Sequence, residues 1–345
     1  MQFAQVPMRN IGPVKIIGEV VDDAVMVPLA TYETPVWPST NRGAKVSREV
    51  GGIMATIIDE RMTRSVAFTT PNATVAKNIA HEVLQRQEAL QSVVAETSRF
   101  AKLLDIHYEI IANTLYLRFE FLTGDASGHN MVTKASDKLM RWLLTEYSDL
   151  SYLSVSGNFC TDKKNSAVNG ILGRGKKVVT EMTITRDLCQ NILKTTPEKI
   201  VELNLKKNLL GSIAAGSLRS ANAHFANVLL AFYLATGQDA ANIVEGSQGF
   251  TFAEMRGEDL YFSTTLPHII VGTVGNGKGL DFVQQNLALM GCDQKREPGD
   301  NARRLAVICA SAVMCCELSL LAALTNPGEL MRAHIAFERK QAKVD

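Results

Sequence analysis

The chain has 345 residues, with 36 Lys and Arg against 35 Asp and Glu, 46% hydrophobic residues and 21% charged ones. That balance describes a folded globular protein of one large or two smaller domains. It excludes a general basic field for nucleic acid, so any anion site must be a local cluster.

The six cysteines, at positions 160, 189, 292, 309, 315 and 316, lack CxxC spacing and sit mostly among apolar residues. They read as reduced core thiols of a cytoplasmic protein, with no disulfide framework and no metal site. Residues 1–65 read as short strands and turns, Val14–Val21 and Ala24–Leu29, with a helix opening at Asn41. Thr74 to Phe100 reads as one amphipathic helix capped by Thr74, since Val75, Ile79, Val83 and Leu90 share a face. Two alternating strands follow, His107–Ala112 and Thr114–Phe121, then a helix from about Asp137 to Glu146. This helix–hairpin–helix unit, residues 66–154, is expected to be a small α+β domain inserted into a larger one made of residues 1–65 and 155–334.

Beyond it, Pro197–Leu205 reads as a linker and Gly211–Thr236 as one long helix ended by Gly237. Strands are expected near residues 250–252, 260–263 and 268–274. Leu305–Leu324 is long and apolar enough to cross a bilayer, yet Glu317 and its many small residues favour a buried helix. Residues 335–345 form a charged tail, expected to be flexible. The N-terminus lacks a basic start followed by an apolar core, so no signal peptide is expected.

Ser156-Gly-Asn-Phe-Cys-Thr-Asp162-Lys163-Lys164 sets a carboxylate beside two ammonium groups in a broken, polar segment. A lysine held beside an aspartate in a dry pocket stays protonated and stabilises an oxyanion; a solvated turn is the plain alternative. Ser39-Thr40-Asn41-Arg42-Gly-Ala-Lys45 offers hydroxyls and cations where a helix is expected to start, which suits either a phosphate cradle or an ordinary cap. Gly124-Asp125-Ala126-Ser127-Gly128-His129-Asn130-Met131 has small residues that let a pyrophosphate approach, with Asp125 placed for a ribose or nicotinamide hydrogen bond, though it is not GxGxxG.

Glu33 ends an apolar run where burial would raise its pKa into proton-donor range. Asp239 follows Gly237 and can hold a lysine in its charged form; His334 lies near the tail on a segment able to fold over a site. His224 and Asn227 share a helix face. A straight helix from Lys207 to His224 would separate them by roughly 25 Å, so either they do different jobs or two copies of the chain build one site.

Taken together these segments resemble the catalytic portion of the hydroxymethylglutaryl-CoA reductase family, more its class I branch, from about Val6 to His334. Further markers are Thr97-Ser-Arg-Phe100, Gly173-Arg-Gly-Lys176, Lys207-Asn-Leu-Leu-Gly-Ser212, Asn222-Ala-His224, Ala235-Thr-Gly-Gln-Asp239, Val271-Gly-Thr-Val-Gly275 and Glu317-Leu-Ser-Leu320. The resemblance implies an α+β fold: a large domain around a long central helix, with an inserted small ferredoxin-like cofactor domain.

It also implies a four-electron reduction of the thioester to mevalonate and free CoA, through a hemithioacetal and an aldehyde, with NADPH as the reductant and NADH not excluded. Lys163, Glu33, Asp239 and His334 would be catalytic: oxyanion stabiliser, proton donor, tuner of both, and proton donor to the departing thiolate. Arg64, Ser156, Asp162, Lys164, Lys207, His224 and Asn227 would line the substrate pocket. Ser39, Thr40, Asn41, Arg42 and Lys45 would bind coenzyme A; Ser98, Arg99 and Asp125–Met131 would bind NADPH. The family places its sites between subunits of a homo-oligomer, homodimer included, with no nucleic-acid or membrane partner.

Departures from the family pattern are Thr34-Pro35 after Glu33, Ser127 and His129 where methionine is frequent, and Arg219-Ser220 in place of a glycine pair. The family's small helical N-terminal domain and membrane anchor are not expected. Two competing readings are a non-catalytic CoA-binding relative and an acyltransferase with Cys160 as nucleophile.

Overall fold

The computed structural model describes Gln2 and residues 4–336. The expected tail therefore lies outside the described residues apart from Ile335 and Ala336. Strand β1 (Met8–Ile17) pairs antiparallel with β2 (Asp23–Ala30) and buries Val25, Val27 and Leu29. Helix α1 spans Val36–Glu49, so the predicted helix starts five residues earlier than Asn41. Its Gly43 lies so close to the central helix that an added Cβ would stand 2.1 Å from the Cys315 carbonyl oxygen, which only glycine permits.

One strand organises the rest. β3 (Ile53–Thr69) is 17 residues long, and the two halves of it belong to different layers. Residues 54–61 pair with β7 (Gly175–Ile184), while residues 62–69 pair with β5 (Thr114–Leu122). Its first residues alternate buried and exposed, whereas Val66, Ala67 and Phe68 are buried in succession where the strand enters the second layer.

The small unit continues with α2 (Ala73–Gln85) and α3 (Gln87–Ala95), then β4 (Lys102–Ile111), β5, α4 (His129–Glu146) and β6 (Ser151–Ser154). The expected single helix over 74–100 is thus two, broken at Arg86, and its cap is Asn72, whose side-chain oxygen accepts from Val75 N–H at 3.0 Å. The helix expected from Asp137 begins at His129, just after left-handed Gly128. Strand order β6-β3-β5-β4 is antiparallel throughout. Two hydrophobic clusters result, one centred on Phe68, Leu117, Phe119 and Leu139, the other on the central helix.

The large layer runs β2-β1-β3-β7 and on through β10 (Asp259–Ile269), β9 (Gly249–Arg256) and β8 (Ser220–Ala221). Short helix α5 (Ala167–Leu172) precedes β7, and α6 (Pro197–Leu203) replaces the expected linker, burying Ile200. The expected helix over 211–236 does not form as one piece. A π-helical stretch, Asn204–Gly211, and one turn to Ala214 give way to left-handed Gly216 and Arg219, and helix α7 (Phe225–Ala235) starts afresh. Asn222 fixes that start by accepting from Phe225 N–H at 3.2 Å.

Helix α8 (Asp281–Leu289) covers the edge of the layer. Then comes the core of the molecule, α9 (Asp300–Leu324), 25 residues long and buried over 94% of its most apolar window. By length and composition it could cross a membrane, but it is wrapped by α1, α7 and the sheet. Its buried Glu317 accepts hydrogen bonds from the backbone N–H groups of Ala223 (2.6 Å) and His224 (3.1 Å) and from the Thr251 hydroxyl (2.8 Å), which is how a carboxylate is tolerated there. Helix α10 (Glu329–His334) follows α9 near the end of the described residues.

Candidate active site

The Asn158–Lys164 loop is irregular because its backbone is: Asn158, Thr161 and Lys163 all have positive φ, at 61°, 42° and 57°. Lys163 extends its ammonium to Asp239, Nζ to Oδ2 at 2.7 Å. That hydrogen bond raises the ammonium above its ordinary 10.5 and outweighs burial. For Asp239 burial pushes upward, but hydrogen bonds from Lys163 and the Ala241 N–H outweigh it and hold the carboxyl below 3.8. The expectation of a dry pocket fails in the single chain, where the Lys163 side chain is 41% exposed.

Asp162, beside it, is tied to fully buried Arg174 at 2.5 Å and lies 3.9 Å from Arg64, whose guanidinium also reaches the Ser156 hydroxyl at 3.3 Å. Burial pushes the Asp162 carboxyl up, yet Arg174, His129 and Arg64 together hold it down. Lys164 turns back to the Asp162 carbonyl at 3.0 Å and is exposed. Arg64, Ser156, Asp162, Lys163 and Asp239 therefore meet as the sequence suggested. Arg174 and Glu245 belong with them and went unassigned; Glu245, fully buried, accepts from the Lys163 backbone N–H at 3.1 Å. Arg174 stands in the marker Gly173-Arg-Gly-Lys176, which gives it no role by itself, and Glu245 stands in an ordinary Val-Glu-Gly stretch.

A second group surrounds a cavity of about 240 Å³ between α1, α9 and α10, lined among others by Glu33, Ser39, Arg42, His224, Cys316 and His334. Glu33 accepts from the Asn227 side-chain amide at 2.9 Å; it is half-buried, not sunk in the core as its apolar run suggested. His224 sits at the start of α7 with its ring 3.9 Å from Glu317. Burial pulls its pKa down, but Cys316 and Glu317 outweigh that and hold it up at about 9.

The expected cradle over Ser39–Lys45 is different in kind. These residues lie within α1, so their N–H groups are spent inside the helix and only side chains are offered. Arg42 meets Ser319 at 2.9 Å and Glu329 at 2.8 Å; Ser39 meets Ser319 at 3.0 Å. Thr40 is fully buried and bonded to the Val36 carbonyl; Asn41 accepts from Gly12 N–H; Lys45 is exposed.

Lys207 lies on the π-helical stretch with Nζ 3.4 Å from the Asn208 side chain, and Asn208 in turn reaches Glu317 at 3.5 Å. The chain folds back, so the straight-helix separation of Lys207 from His224 does not apply. The separation that does matter runs along α7. Asn227, with Glu33, is in its first turn; Asp239, with Lys163, follows its last. From Asn227 to the last helical residue, Ala235, the helix axis runs about 12 Å, and Asp239 lies four residues further on.

The third group is the loop Gly124–Met131. Asp125, expected to bond a cofactor, caps α9: its two oxygens accept from the N–H groups of Gly299 (3.1 Å) and Ala302 (3.0 Å). The Gly272 backbone packs so tightly on Ser127 that a Cβ would lie 2.3 Å from its nitrogen. His129 lies 3.8 Å from Asp162 and 3.5 Å from the Ser127 hydroxyl; burial, then Arg174, pull it down to about 4. Ala126 and Met131 are partly buried, while Asn130 is exposed. Exposed Arg99 stacks over Phe100 at 4.6 Å, Ser98 accepts from the Phe100 N–H, and Phe100 faces Gly124.

Cys160 is 1% exposed, and no base addresses its thiol among the hydrogen bonds of the described residues. Among those residues one trio could chelate a metal ion, Asp105, His107 and Glu120, but Glu120 is already ion-paired to both Arg61 and Arg118.

Against known proteins, the family described as Hydroxymethylglutaryl-coenzyme A reductase matches residues 2–339. The 3-hydroxy-3-methylglutaryl-coenzyme A reductase of Aeropyrum pernix is 48% identical over 99% of this chain and 81% of its own length; that of Pyrococcus abyssi is 48% identical over 96% and 81%. Among solved structures, the class II 3-hydroxy-3-methylglutaryl-CoA reductase of Streptococcus pneumoniae, bound to NADPH in open conformations, superposes with a TM-score of 0.75 at 22% identity, over 94% of this chain and 86% of that one. With a whole-chain family match and relatives at this identity, the chain belongs to the hydroxymethylglutaryl-coenzyme A reductase family of oxidoreductases.

Proposed function

We propose that this protein reduces hydroxymethylglutaryl-CoA to mevalonate and free CoA with NADPH, at a site assembled from the three groups above. The observation that carries the reading is the Lys163–Asp239 pair, an ammonium kept cationic on the loop that also carries Asp162, next to Arg64 and Ser156. The residues fit the cofactor: the glycine-rich loop at Gly124–Gly128 is backed by Phe100, with exposed Arg99 beside it for a phosphate. When bound, NADPH supplies the hydride for each of the two reductions.

The chain does the rest. Lys163 holds the negative charge that develops on the thioester carbonyl oxygen, and Asp239 keeps it protonated. His334, at the cavity wall, protonates the CoA sulfur as it leaves, and Glu33 protonates the aldehyde oxygen in the second reduction. Arg42 and Ser39 hold the CoA portion, while Arg64 and Lys207 meet the substrate carboxylate. His224 and Asn227 orient Glu33 and the cavity wall.

Glu33 and Lys163 must act on one carbonyl, yet about 12 Å of α7 lies between their groups in one copy. A site shared between two copies removes the conflict. An exposed apolar strip beside Lys207, Leu205, Leu209, Leu210 and Ile213, supports a homodimer that covers it. Order βαββαβ in the small unit, with α2 and α3 counted as one layer, supports the ferredoxin-like reading of residues 66–154 as the cofactor domain. The gap between 48% identity to archaeal relatives and 22% to a class II enzyme supports the class I-like reading. Six free, buried cysteines support a cytoplasmic location.

The test is nicotinamide oxidation by purified protein with the CoA thioester, run with NADPH and NADH in parallel. Two NADPH consumed per thioester, with mevalonate and free CoA as products, is the expected result. Thioester binding without oxidation of either nicotinamide overturns the proposal in favour of a non-catalytic relative.

A further inference from the structure

Left-handed backbone is costly for residues with a Cβ, and the catalytic loop holds three of them within six positions, ending at Lys163. Its side chain is 41% exposed, so packing of that side chain does not hold the conformation. Something else must.

Beneath the loop lie two fully buried charges, Arg174 and Glu245, with Nε and Oε1 3.6 Å apart. Each of the two also holds one of two successive loop residues, Asp162 and Lys163. Glu245 Oε1 accepts from the Lys163 N–H at 3.1 Å and from the Asn242 side chain at 2.9 Å. Arg174 Nη2 donates to the Asp162 carboxylate at 2.5 Å, while Nη1 is anchored to the Thr63 carbonyl and hydroxyl at 2.7 and 2.8 Å on β3. His268 on β10 lies 3.2 Å from the Arg174 carbonyl and fixes that residue from behind.

As a pure stability element the pair is badly made. Glu245 Oε2 and Arg174 Nε are buried without a hydrogen bond, and buried ion pairs repay their desolvation only when such atoms are satisfied. Its geometry is explained by what it holds.

We propose that the Arg174–Glu245 pair is the positioning device of the reductase site: Glu245 grips the Lys163 amide, Arg174 grips the Asp162 carboxylate, and together they fix the two-residue step that aims the working ammonium. This rests on Lys163 being the catalytic cation. Neither residue touches substrate; both act through the loop, and Glu245 works as a backbone acceptor, not as a proton donor.

The experiment compares wild type, K163A, E245L and E245Q in steady-state thioester reduction, with circular dichroism and NADPH-binding fluorescence to establish folding. Because displacement of a catalytic group by about 1 Å costs about 100-fold, kcat of E245L should fall about 100-fold with both KM values within about twofold. E245Q keeps an oxygen facing the Lys163 N–H and should recover to within about tenfold of wild type.

A folded E245L with wild-type kcat, or E245Q no better than E245L, overturns the proposal. If E245L fails to fold, hydrogen exchange of the wild-type Lys163 amide decides: protection is expected, and exchange at the rate of an open loop overturns it. Full activity in K163A would instead overturn the functional reading and leave Glu245 with no ammonium to aim.

Discussion

The Asn158–Lys164 loop and the Ser39–Lys45 stretch of α1 each carry cations, and they hold them in opposite ways. In α1 the backbone is regular and silent, so function falls to side chains at helical spacing: Ser39 and Arg42 face the cavity, Asn41 faces β1, and Lys45 faces solvent. Arg42 keeps its charge satisfied by Ser319 and Glu329 until something else claims it. In the loop the backbone carries the information, because left-handed residues pinned from below decide where Lys163 points. A helix suits grip, where an ångström of play is tolerable. A strained, anchored loop suits chemistry, where it is not.

That contrast can be broken by exchange of one residue at a time. K163A should be folded and lose about 100- to 1,000-fold in kcat, read by thioester-dependent NADPH oxidation. D239N should follow with a loss of about 10- to 100-fold. Without the carboxylate the Lys163 pKa falls, so the alkaline limb of kcat should move to lower pH; an unmoved limb would detach Asp239 from Lys163. R42A removes grip without aim. KM for the thioester should rise about tenfold while kcat holds within about threefold, and a matching fall in kcat would erase the distinction between the two regions.

The smallest effect concerns His129. Burial holds it down to about 4 against an ordinary 6.5, so as pH falls from 6.5 toward 4 the unfolded chain takes up a proton that the native one refuses. Native stability is lost through that window. H129M should therefore melt with a smaller drop between pH 7 and pH 5 than wild type, read by thermal denaturation at the two pH values.

The same contrast explains what could be read from the sequence. Asp162-Lys163-Lys164 and its glycine-rich surroundings announce a loop, and Arg64, Ser156 and Asp239 lie beside it. The α1 segment was legible as a set of residue types but not as a helix interior, because polar residues through Ser39–Lys45 hide the pattern of Val36, Thr40, Gly43 and Ala44 facing the core. The capping of α9 by Asp125 is not legible in the sequence, because it depends on residues 174 or more positions away. Arg174 and Glu245 were missed for the same reason: a buried charge is recognisable only once its partners are in place. The long helix expected over 211–236 failed at Gly216 and Arg219, where the left-handed backbone overrides the apolar periodicity on either side.

The most direct test is the titration of the Lys163 ammonium by NMR of protein labelled with nitrogen-15 at lysine side chains, assigned by its absence in K163A. Paired with Asp239, the group should titrate above its ordinary 10.5, and it should fall in D239N. A Lys163 that titrates below 10.5 in the wild-type protein and ignores the loss of Asp239 would contradict the account.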